Sequence, residues 1–182
     1  MLMRRIAVAL GVTAVAVLPA PAARADEPPA LDAAFVQAAY QSNLAEIQGG
    51  RVAWQKTTDP AVKDLAASLM RDHIHMNADL YQVARDLRIV LPKEPSAEQQ
   101  ALTGRYQAAG ADTFDEYFVS TQLAAHREAS QLVSGQIDDG NQPLITNFAE
   151  AAAPIIERHQ DVLRDLAGAE GIPGYGTGAG RP

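Results

Sequence analysis

The sequence predicts an all-helical protein, a bundle of four long helices. Apolar residues recur at spacings of three and four, Ala, Leu, Gln and Glu dominate, and β-branched runs of period two are absent. Helix-start signals also recur at four places along the chain, each followed by an amphipathic stretch.

The first residues, MLMRR, are basic, and the apolar run from Ile6 to Leu18 is too short to cross a bilayer comfortably as a helix. Ala23-Arg24-Ala25 supplies the small residues that a signal peptidase needs, so residues 1–25 read as a leader cleaved after Ala25. General secretion fits this leader better than the twin-arginine route that Arg4-Arg5 suggests, because the flanking pattern is atypical. Residues 26–31 form a short N-terminal segment, and the bundle domain is expected over 32–168.

Helix one is expected over 32–57, with Asp32 as its cap and Leu31 and Val36 as a hydrophobic staple. Helix two, 60–89, starts from Asp59 with Pro60 at its first position. Residues 90–112 form a long connection past Pro92 and Pro95, in which Ser96-Ala97-Glu98-Gln99 has the pattern of a capping box before a short extra helix ending near Gly110. Its Leu102 and Tyr106 are placed to cover Ile47 and Trp54. Asp112 or Thr113 opens helix three, 113–138, and Asn141 with Pro143 opens helix four, 143–168. The short joins make helices one and two, and three and four, antiparallel. The long crossover allows two and three to run parallel, as in ferritin-like folds. Residues 169–182, rich in Gly and Pro, read as a disordered tail.

The chain contains no cysteine, so it has no disulfide, no thiolate ligand and no lipid-anchoring Cys after the leader. About 157 residues remain after cleavage, enough for one domain with a real core. Loss of Arg4, Arg5 and Arg24 takes the basic residues from 15 to 12 against 22 acidic ones, a net charge of −10. Nucleic acid and anionic membrane surfaces, which need a basic face, are poor partners for such a chain. Without a Gly-x-Ser-x-Gly elbow or a phosphate loop, an ordinary hydrolase or nucleotide enzyme has no support.

One polar residue falls near the middle of each long helix: Glu46, His73, His126 and His159. His73 lies on the stripe of Leu65, Leu69, Met76 and Leu80. His159 lies within that of Ile145, Phe148, Ala152, Ile155, Val162 and Leu166. Glu46 shares an arc with Phe35, Ala38, Ala39, Ser42, Gly49 and Ala53, and His126 sits at the edge of the stripe of Phe118, Gln122, Ala129 and Val133. Counted from the helix starts, all four stand about 20 to 24 Å along, near mid-height in either direction. Converging there, they would suit one divalent ion, Zn, Cu, Mn or Fe, with Asp72 as outer support or a further ligand. The competing reading is that they bond one another or buried water and fix helix register. A di-iron centre is disfavoured, because Glu-x-x-His is absent. Gly49-Gly50 beside Glu46 implies close approach of another helix.

Phe35 with Ala38-Ala39, Glu46-Ile47-x-Gly49, Val62-Lys63, Met70-x-Asp72-His73, Phe114-Asp115 with Tyr117, His126, Phe148-Ala149, and Pro154-Ile155 with His159 together resemble the bacterial envelope family known as domain of unknown function 4142. The resemblance covers about residues 32–167 and implies a ferritin-like bundle without a settled activity. Two functions follow as expectations. One is a secreted metal-binding bundle with a sequestering or redox-protective role. The other is a metal-free, stress-related structural or interaction protein of the envelope, acting through its surface on an envelope protein partner or by self-association. Enzymatic turnover would need an open coordination position and a cleft, and the sequence indicates neither.

Overall fold

A computed structural model describes residues 29–173. The expected leader, and residues 174–182 of the expected tail, lie outside them. Five helices form in order: α1 Ala30–Lys56, α2 Pro60–Leu87, α3 Ala97–Ala108, α4 Ala111–Asp139 and α5 Pro143–Ala169, with no strand among the described residues.

The starts of α2 and α3 follow the local chemistry expected of them. The Asp59 carboxylate accepts from the backbone of Ala61 and Val62 at 2.7 and 3.1 Å, satisfying donors that the first helical turn leaves free. Ser96 and Gln99 complete a reciprocal capping box. The other starts differ. Helix α1 begins two residues early, after Pro29, so Asp32 is not its cap. Buried in the first turn, its carboxylate instead accepts from Gln136 Nε2 at 2.6 Å and from the Asn141 backbone, tying α1 to the α4–α5 turn. Gly110 and Gln142 precede α4 and α5, neither with a side-chain cap bond, in place of Asp112, Thr113 or Asn141.

Two ends close with left-handed residues. Arg88, at φ 57°, terminates α2, and the Ile89 amide reaches back to the Ala84 carbonyl. After α5, Gly171 at φ 68° turns the chain so that Ile172 N–H bonds to Ala167 O and its side chain is buried. Order therefore persists a few residues into the stretch expected to be loose.

The core forms two apolar clusters. One joins Val52 and Ala53 late in α1 to Leu65 and Leu69 early in α2, Phe118 early in α4 and Leu163 late in α5. The other joins Phe35 and Val36 early in α1 to Leu80 and Ala84 late in α2, Val133 late in α4 and Ile145 early in α5. Helices α2 and α4 therefore run together, opposite to α1 and α5. Around the bundle α1 packs on α2, α2 on α5, α5 on α4 and α4 on α1, and α3 lies against α1.

Some burial differs from the expected stripes. On α5, Ile156 and Leu163 are buried, whereas Ile155 is half-buried and Val162 is 40 % exposed. The seam runs 145, 148, 152, 156, 159, 163 and 166, in steps of three or four, so a residue one position off it is turned about 100° toward a neighbour or solvent. On α1, Ala38 is exposed, and Ala39 and Ser42 are half-buried. Tyr106 covers Gly49 rather than Trp54, which stays 49 % exposed with Lys63 Nζ 5.1 Å from its ring centre. Gly50 meets α2: a Cβ there would come 2.9 Å from Met70 Cγ and 3.0 Å from Ala66 O, so the helices approach as closely as the glycine pair implied.

Candidate metal centre

Between the two apolar clusters lies a polar layer: Asn43, Glu46, His73, Asn77, Gln122, His126 and His159, all buried. Each histidine reaches it because apolar neighbours on the same helix face hold that face inward. Leu69 and Met76 flank His73, Val119 and Leu123 precede His126, and Ile156 and Leu163 bracket His159. His126, expected at an edge, is fully interior, and His75 faces outward.

One nitrogen from each of His73, His126 and His159 lies within 4.8 Å of the others. Glu46 stands outside this group. Its carboxyl bonds to the Gln122 side chain near Tyr106, beside a cavity of about 430 Å³ between α1, α3 and α4. The sequence-predicted quartet therefore resolves into three converging imidazoles and a separate buried carboxyl.

Hydrogen bonding assigns the ring protons. His73 Nδ1 stands 2.7 Å from Asn43 Oδ1, His126 Nδ1 3.1 Å from the Gln122 carbonyl, and His159 Nε2 3.0 Å from Asp72 Oδ2. Each of these oxygens accepts, so the facing nitrogen carries the proton and the ring's other nitrogen presents a lone pair. Those lone pairs are His73 Nε2, which has no hydrogen-bond partner, and His126 Nε2 and His159 Nδ1, which face each other at 3.3 Å. Two neutral acceptors repel at that distance, whereas a cation between them attracts both. Nitrogens about 2.1 Å from one tetrahedral ion stand roughly 3.4 Å apart, close to the observed pair. A ring that donates its remote N–H to a carboxylate, an amide oxygen or a backbone carbonyl, and keeps its other nitrogen free, is also the arrangement of liganding histidines.

Burial keeps the rings neutral. Desolvation, then repulsion from His126 and His159, holds His73 well below the ordinary histidine value. Desolvation with the neighbouring His159 lowers His126 to about 4. Desolvation also lowers His159, although its bond to Asp72 opposes the shift. At Asp72, burial acts upward, but the bonds and charges of His159 and Arg71 outweigh it and the carboxyl titrates below its usual value. Glu46 is the reverse case, since desolvation raises it to about 8 against the smaller effect of Gln122.

Sequence reasoning had singled out Asp72 but missed Asn43 and the role of the Gln122 carbonyl. Asn43 lay outside the apolar arc drawn for α1, although its position three residues before Glu46 put it on the same side. Backbone acceptors leave no sequence signal.

The fold and this layer define a helical bundle with a buried three-histidine centre. Residues 18–166 match the family described as "Domain of unknown function (DUF4142)", and the chain belongs to that family. Among solved structures it is similar to the DUF305 fragment from Deinococcus radiodurans, at 13% identity and a TM-score of 0.66, covering 79% of this chain and 97% of that one. That likeness is one of fold. No curated protein matches the chain. No helix among the described residues is long and apolar enough to cross a membrane.

Proposed function

We propose that this protein is an exported, ferritin-like bundle that binds one divalent transition-metal ion through His73 Nε2, His126 Nε2 and His159 Nδ1, in a sequestering or redox-protective role. The observation that carries the reading is the convergence of the rings: each anchors one nitrogen on an oxygen, and one nitrogen from each lies within 4.8 Å of the others. An all-imidazole set suits zinc or copper better than manganese, which favours oxygen ligands, and Glu46 is not counted as a ligand. The ferritin-like assignment draws on the parallel course of α2 and α4 and the long connection carrying α3. Export draws on the leader pattern in residues 1–25.

Metal analysis and thermal unfolding of residues 26–182 with Zn, Cu, Mn and Fe salts test the reading. Binding only to the folded state stabilises it by about 2.7 kcal/mol when free metal is a hundred times Kd. His73→Ala or His126→Ala should abolish that gain. No stabilisation by any of the four metals would contradict it.

The metal-free alternative draws on one specific contact. With one of the two rings in its other tautomer, His126 Nε2 and His159 Nδ1 at 3.3 Å form an N–H···N hydrogen bond between neutral rings and so fix the register of α4 on α5. A protein that stays metal-free when grown in metal-replete medium, yet pulls down a defined envelope partner, would favour that reading.

A further inference from the structure

The three-histidine centre is enclosed on most sides. His73 Nε2 is shut inside the layer, and His126 is backed by Gln160, whose side-chain amide donates to the His126 carbonyl at 2.8 Å. His159 is 1 % exposed, yet it lines a cavity of about 350 Å³ on the α2–α5 face, with Asp64, Ser68 and Arg158. Its Nε2 is bonded to Asp72, whose side chain is 12 % exposed. At this edge a single carboxylate separates an imidazole of the centre from water.

Two cations hold that carboxylate. Arg71 Nε bonds Asp72 Oδ1 at 3.0 Å, and Arg158 Nη2 stands 3.6 Å from Oδ2, the same oxygen that His159 uses. Ser68 Oγ reaches Oδ2 at 3.4 Å and accepts from Arg71 Nη2 at 2.8 Å. Both arginines are more than half exposed, so they screen the approach rather than build the core.

Resting on the metal reading above, we infer that a metal ion reaches the centre between α2 and α5, with Asp72 as its first ligand from solvent and Arg158 as the electrostatic guard that slows its passage. Asp72, at the edge of the layer and 12 % exposed, is the outermost oxygen ligand that an aqueous dication meets there, and rotation of its carboxylate away from His159 would pass the ion to the imidazoles. The Arg158 guanidinium competes for that same oxygen and repels the ion. In a water-like dielectric, removing one unit charge about 6 Å from a passing dication changes its rate of passage roughly tenfold.

Stopped-flow uptake of Zn2+ and of Cu2+ from a chelating indicator by the purified protein tests the route. Three variants accompany the wild type, each first shown to melt cooperatively without metal. Arg158→Gln should speed uptake about tenfold at low ionic strength, and the gain should shrink as salt is raised. Asp72→Asn should slow uptake and weaken affinity by 10- to 100-fold, roughly the cost of losing an outer partner of a liganding histidine. Glu46→Gln, on the opposite face, should leave the rate unchanged. Wild-type uptake in Arg158→Gln or Asp72→Asn, or an equal change in Glu46→Gln, overturns the route while leaving the centre standing. A protein that takes up neither ion overturns the metal reading, and the route with it.

Discussion

At the scale of single residues, buried titratable groups with opposite shifts set the pH response of the metal-free protein. His73, His126 and His159 titrate lower when folded, so their contribution is present above about pH 6.5 and is lost as pH falls toward the folded value, about 4 for His126. Glu46 titrates higher when folded, so its contribution is complete below its unfolded value of 4.5 and is lost as pH rises through about 8. Three histidines outweigh one carboxyl on the acid side, and the carboxyl acts alone on the alkaline side. Stability should peak at about pH 6.5 to 7 and fall by about 1–2 kcal/mol toward pH 8.5. Urea melts across this range check the peak, and Glu46→Gln should flatten the alkaline limb. An alkaline limb unchanged in that variant would contradict a protonated Glu46. The histidines were legible in the sequence because a polar residue inside an apolar stripe must face the interior. Whether the fourth polar residue, Glu46, shared their centre depended on helix rotation, which periodicity alone does not define to better than one position.

At the scale of the helices, close contact decides what each glycine is for. A Cβ at Gly50 would press on Met70 Cγ and the Ala66 carbonyl, and the carbonyl cannot yield. Gly50→Ala should destabilise by roughly 1–3 kcal/mol despite the better helix propensity of alanine. Gly135, within α4, has open space where its Cβ would sit, and Gly135→Ala should stabilise by about 0.5–1 kcal/mol. Denaturant midpoints of the two variants should move in opposite directions, and a shift in the same direction would undo the packing account. Helix existence, the Asp59 start and the Ser96 capping box were readable because their chemistry is local. The role of Asp32 was not, since its partners Gln136 and Asn141 lie more than a hundred residues away. Two positions of the α5 seam were misplaced by one residue for a similar reason, while Ile145, Phe148, Ala152, His159 and Leu166 are buried as expected. Ile155 and Ile156, like Val162 and Leu163, are equally apolar, and only the packing of α2 and α4 selects between them.

At the scale of the whole molecule, the bundle holds two apolar halves around a polar waist, and Asp32 fastens one end by joining the first helix to the last turn. Asp32→Ala removes a buried acceptor from Gln136 and the Asn141 amide and should cost about 1–3 kcal/mol, read by thermal unfolding. An unchanged melting temperature would mean that the fastening contributes nothing. The waist is expensive for a protein that needs only to fold, because Asn43 Nδ2, Asn77 Oδ1 and Gln122 Oε1 are buried without partners beside the histidines. A bound ion that the three imidazoles share would give that expense a purpose. Anomalous diffraction from crystals grown with zinc, recorded at the zinc edge, tests this most directly. A single interior peak is expected, about 2.1 Å from each of His73 Nε2, His126 Nε2 and His159 Nδ1. A waist with no peak, or a zinc ion bound only at surface carboxylates, would contradict it.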